Sequence, residues 1–158
     1  DVDWPNRKFT GSSENTLLPL RSLGSFKLNA GQSLNITSCE VDGGRATFER
    51  KGDFIVVQPM ARKLWTPGKA VKVVVRYTGG QKQGAGFGGG EGGFHWISTR
   101  PDDPNRVGFW TQGETGYNYN WAPTWDYPND FATSETITTV PADWSVIGNG
   151  VKKSDKVS

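Results

Sequence analysis

The sequence predicts an all-β fold, and three observations predict it. Apolar residues recur with period two: in AVKVVVRY, Val71, Val73, Val75 and Tyr77 share one face of an extended strand, while Lys72 and Arg76 occupy the other. Turn formers cut the β-rich runs into short pieces, notably Asp42-Gly43-Gly44 and Lys51-Gly52-Asp53. Helical patterning is confined to residues 117–121, which allow at most one short turn.

Taken in order, DVDWPNRKF at the start reads as the middle of a strand. SFKLNAGQSLNITSCEVDGGRATFERKGDFIVVQP reads as successive short strands, with Gly31 and the two glycine turns as punctuation. AVKVVVRY comes next as the most regular strand. Residues 79–93 are more than half glycine and read as a flexible loop. Within it GAGFGG satisfies G-x-G-x-x-G through Gly84, Gly86 and Gly89. A dinucleotide fingerprint needs a helix next, however, and the chain instead continues with more glycine and then the β-prone FHWIST. Near the end, SETITTVP and DWSVIGNG read as two further strands split by Pro141, with Asn149-Gly150 as a hairpin turn. The expectation is one all-β domain over residues 1–158, with mixed or antiparallel sheets packed as a sandwich or saddle. Both ends read as cut, by processing or by design.

Composition narrows the function. With 18 Lys and Arg against 16 Asp and Glu, the net charge of +2 gives no reason to expect nucleic acid as a partner. The tail lysines Lys152, Lys153 and Lys156 read as solvated. No window is apolar enough for a membrane helix. One cysteine, Cys39, excludes an internal disulfide and reads as a buried, inert thiol. It suits several compartments alike. The Asn35-Ile36-Thr37 sequon bears only on a eukaryotic secretory setting.

The single histidine, His95, excludes H-E-x-x-H zinc chemistry and any multi-histidine metal site within this chain. Lying between Phe94 and Trp96, it reads as a structural or partly exposed histidine. Neither G-x-S-x-G nor a P-loop is present. Acid pairs such as Asp102-Asp103 and Asp126/Asp130 sit among prolines and asparagines, as turn acids do. No catalytic or metal-binding residue is assigned to the chain.

An ordered series of motifs adds what composition does not. TQGE at Thr111–Glu114, a short spacer, WAPTWDYPNDFATSE from Trp121 to Glu135, ITTVP and then VIGNG resemble the N-terminal domain of the aminopeptidase N-like zinc metallopeptidases. Upstream, DVDWPNRKFTGS, SLNITSCEVDG, ATFERKGDFIVV and GKAVKVVVRYTG are similar to the strand order of that domain. The resemblance implies an all-β saddle resting on a catalytic domain that is absent here, and a chain lacking the last strands of the family domain. Zinc, H-E-x-x-H and G-x-M-E-N would all belong to that missing domain, the implied partner of this one.

By the same resemblance, Glu114 would supply a carboxylate for the α-ammonium of a peptide substrate, a cation best held by convergent carboxylates in a low-dielectric pocket. Gln112 would line the same pocket, two residues away on the same face of an extended strand. Asp126 and Pro128 would make a rigid turn behind it. The spacer TGYNYNWA departs from the family in placing Tyr117 and Tyr119 where an acid and an arginine usually fall. Thr124 stands in place of a usual cysteine. Two other readings stay open: an interaction module of the same fold without peptidase function, and a carbohydrate-binding β-sandwich using Trp121 and Trp125 as sugar platforms.

Overall fold

A computed structural model describes residues 1–60, 64–80 and 92–156. Among the described residues nine strands form two antiparallel sheets, and the larger curls into a half-barrel. In chain order they are β1 (Val2–Asp3), β2 (Lys8–Leu17), β3 (Phe26–Asn29), β4 (Asn35–Val41), β5 (Gly44–Lys51), β6 (Phe54–Pro59), β7 (Val71–Gly79), β8 (Gly93–Ile97) and β9 (Gly108–Gln112). The seven-stranded sheet has the order β1-β2-β7-β4-β5-β6-β3, and β8 pairs with β9 alone. Among the described residues the one helical element is a 3-10 turn at Asn118–Asn120, inside the stretch that the sequence marks for it. No helix among them is long and apolar enough to cross a membrane.

The period-two pattern in β7 makes it the hub of the sheet. Val71, Val73, Val75 and Tyr77 are buried, and β7 is hydrogen-bonded to β2 on one side and β4 on the other. Its opposite face is wet, and there Arg76 pairs with Glu40 and Lys72 with Glu14. Such exposed pairs add little to stability. The core is instead the inner face of the curl, where Leu28, Ile55, Val57, Val73 and Val75 are fully buried. Cys39 lies in this face, and burial pushes its thiol up to about 11, as expected for an inert residue.

Both glycine turns form hairpins, β4–β5 and β5–β6. A register shift between Ile36 and Ser38 bulges β4 against β7, and the Thr37 hydroxyl donates to the Arg76 carbonyl beside it at 3.0 Å. Bulges of this kind sharpen strand twist and help a sheet curl. Gly31 lies in the β3–β4 connection, which Arg50 pins by donating to the carbonyls of Ala30 (2.8 Å) and Leu34 (2.7 Å).

Two expectations are corrected. The first segment is not one strand: Arg7 adopts a left-handed backbone (φ 52°), which turns the chain between β1 and β2. The indole of Trp4 in that turn donates to the carbonyls of Ile97 and Gly108, both at 3.1 Å, and so ties the small sheet to the large one. In addition, SETITTVP and DWSVIGNG form no strands, and Asn149-Gly150 closes no hairpin. Residues 131–156 run without strand or helix and leave Phe131, Ile137 and Ile147 exposed. A β-prone segment becomes a strand only beside an edge that completes its hydrogen bonds, and this one pairs with none among the described residues. The expected loop at 79–93 and its GAGFGG string lie largely outside the described residues.

Candidate functional site

Residues singled out in the sequence gather around the β8–β9 hairpin, whose register is Gly93↔Gln112, His95↔Trp110 and Ile97↔Gly108. Strand alternation gives the hairpin two unlike faces. One turns toward the half-barrel, where Phe94 stacks on Phe9 (4.4 Å between ring centroids) and on Phe109 (4.8 Å), with Trp96 against them. This aromatic cluster docks the small sheet. The other face carries His95, Trp110 and Gln112.

On that second face the His95 and Trp110 rings stack at 4.1 Å with planes 14° apart. His95 is buried, and its Nε2 has no hydrogen-bond partner among the described residues. Burial holds the imidazole below its ordinary pKa, so it is neutral at pH 7. Of the two placements expected, structural or partly exposed, the structure shows a buried imidazole. Its place opposite Trp110 has no signal in the local sequence, and only the register reveals it.

Gln112 ends β9 and is half-buried; Glu114 is exposed. The extended geometry expected for the pair is not found, since the strand stops at Gln112 and Glu114 opens a turn in which the Tyr117 amide donates to the Gly113 carbonyl at 3.0 Å. Gln112 therefore ends the strand and Glu114 lies in the turn beyond it, so the two are not residues on one strand face. Glu114 has no ion pair or hydrogen bond among the described residues, and an exposed carboxylate at this open end can meet a cation that approaches from outside the domain.

The chain beyond Glu114 is clamped down. Asp126 accepts from the Asn118 amide (3.2 Å) and from the Tyr119 backbone N–H (3.1 Å), so it holds the 3-10 turn. Tyr119 in turn offers its carbonyl to the Gly31 N–H at 2.8 Å, and Thr124 exchanges two backbone hydrogen bonds with Asn29. Ser13 donates to the carbonyl of the buried Pro123 at 2.6 Å. Gly31 suits this close approach, because a Cβ would lie 3.0 Å from the Asn120 Cα and 3.2 Å from the Tyr119 carbonyl oxygen. Asp126 thus has the structural part expected of it. The amide- and tyrosine-rich spacer does this fastening without the charged pair that the resemblance leads one to expect.

The two tryptophans considered as sugar platforms differ. Trp121 packs against the core, whereas Trp125 is exposed and tilts onto Tyr127 at 4.7 Å. Among the described residues no group of three or more His, Cys, Asp or Glu side chains converges as metal ligands would.

No family model matches the chain, and no curated protein sequence matches it. Solved structures do match. An M1 zinc metallopeptidase from Deinococcus radiodurans aligns with a TM-score of 0.58 at 15% identity, covering 77% of this chain and 25% of that one. A mutant of the same enzyme gives a TM-score of 0.60 at 14% identity, over 78% and 26% of the two chains. A form bound to the substrate Tyr-Ser-Ala gives 0.54 at 17% identity, again over 78% and 26%. At such identities the likeness is one of fold, and this chain spans about a quarter of the length of those enzymes.

Proposed function

We propose that this domain is the non-catalytic N-terminal wall of a zinc-dependent aminopeptidase, and that Gln112 and Glu114 help to anchor the free N-terminus of a peptide. The observation that carries the reading is the position of the TQGE segment. It lies at the open end of a hairpin that aromatic packing docks onto the half-barrel, and it leaves Glu114 exposed there. The fold match to M1 metallopeptidases supports this, and one of those neighbours is bound to a peptide.

The division of labour comes from the residues. This chain's histidine cannot build H-E-x-x-H, so zinc and the water it activates belong to a partner catalytic domain. Glu114 would neutralise the substrate's α-ammonium, and the Gln112 amide would orient it. Fixing one end of the peptide sets its first peptide bond over the metal, a gain in positioning rather than in bond-breaking chemistry.

The test is kcat/KM of the intact parent with Glu114→Ala, on peptides with a free amino terminus. A loss of roughly tenfold or more is expected from removing a charge-assisted contact. Unchanged kcat/KM would end the anchoring role. Of the other readings, the sugar-binding one keeps only Trp125 as an exposed platform, and no second observation favours it.

A further inference from the structure

We infer that the Trp110–His95 stack is a side-chain platform that favours peptides with an aromatic first residue, a specificity element resting on the anchoring reading above. Trp110 lies directly opposite His95 in the β8–β9 ladder, and the two rings are stacked at 4.1 Å. His95 is buried while Trp110 is only partly so. One indole face is thus backed by the imidazole, and the other makes no ring contact among the described residues.

Three features point to recognition rather than to packing alone. First, the small sheet is already docked by Phe94, Trp96 and Phe109 on its opposite face, so Trp110 is not needed for that contact. Second, Trp110 precedes Gln112 by two residues on one face of β9, a separation of roughly 7 Å along the strand. A first residue whose amine is held at Gln112 and Glu114 spans about that distance to the end of an aromatic ring. Third, the backing imidazole is neutral, so it adds no positive charge that would repel the ammonium. A planar ring laid on a fixed indole gains stacking that an aliphatic side chain of equal area lacks, worth roughly three- to tenfold in affinity.

The experiment uses the intact parent polypeptide, stripped of metal with a chelator so that no peptide is cleaved, and three probe peptides: Phe-Ser-Ala, Leu-Ser-Ala and N-acetyl-Phe-Ser-Ala. Binding is followed by tryptophan fluorescence and by NMR shifts of the Trp110 and Gln112 amides. The unmodified chain is expected to bind Phe-Ser-Ala three- to tenfold more tightly than Leu-Ser-Ala. Trp110→Leu should bring that ratio to about one while still preferring the free amine to the acetylated peptide. His95→Gln, which keeps the indole but removes its backing ring, should lower the ratio in the same direction, and near-UV circular dichroism identifies any variant that fails to fold. A ratio of one in the unmodified chain, a ratio untouched by either folded variant, or binding of none of the peptides overturns the platform. If free and acetylated peptides bind alike while the aromatic preference persists and responds to Trp110→Leu, the anchoring reading fails and the platform stands.

Discussion

Phe9 and Gly79 face each other across the β2–β7 pair, and the phenylalanine ring covers the glycine so closely that a methyl group could not fit between them. Two residues along, the arrangement is reversed, with Tyr77 lying over Gly11. The two rings meet edge-on at 6.3 Å, and Phe9 then stacks on Phe94 of the small sheet. The bare backbone at the two glycines is what lets the aromatics lie flat and carry the β8–β9 hairpin.

Gly79→Ala should therefore destabilise the domain by about 1–3 kcal/mol, the usual range for overpacking a well-filled site. The backbone of Gly79 is not left-handed, so the effect would come from the methyl group alone. Urea unfolding measures it. The same substitution combined with Phe9→Leu should cost less than the sum of the two single changes, because the methyl then has room; strict additivity would contradict this packing.

Asp126→Ala should loosen the turn beyond Glu114. It removes an acceptor from the Asn118 amide and the Tyr119 N–H, at about 1–2 kcal/mol. Amide hydrogen exchange at Tyr119 should speed up, while that of Val73 and Val75 in the core changes only with global stability. Unchanged exchange at Tyr119 would show that the turn is held by other contacts.

His95 gives the fold a distinct acid response. Its folded-state pKa lies below the ordinary 6.5, so as the pH falls the unfolded chain takes up the proton first. Stability is full above 6.5 and declines as the pH drops from there toward the lowered folded value. As the single histidine, it is the one side chain that begins to take up a proton near 6.5 in the unfolded chain. Melting temperatures of the wild type and His95→Gln should differ in slope across this window. Parallel curves would show that the imidazole is solvated in the fold.

Some of this architecture is legible in the sequence and some is hidden. β7 is readable because Val71, Val73, Val75 and Tyr77 recur at every second position, with Val74 the one apolar residue on the other face, and a strand buried on one face needs that pattern. The Asp42-Gly43-Gly44 and Lys51-Gly52-Asp53 turns are readable because few conformations close a tight hairpin. The strands expected after Phe131 do not form because β propensity describes a residue's fit to a sheet and not the presence of a neighbouring edge. Gln112 and Glu114 are marked by a motif, yet the end of β9 between them is not, since strand ends depend on what the next residues fasten to. His95 beside Trp110 is hidden for a plainer reason: cross-strand register is set by the docking of two separate segments, and no local pattern encodes it.

Whether this β domain serves a zinc-dependent catalytic partner in the same polypeptide is decided by the sequence of the reading frame downstream of Ser158. The expected finding is a domain carrying H-E-x-x-H and a further glutamate ligand, in which case Glu114→Ala in the whole enzyme becomes the next assay. A frame that stops, or continues into a domain without that motif, would overturn the proposed role.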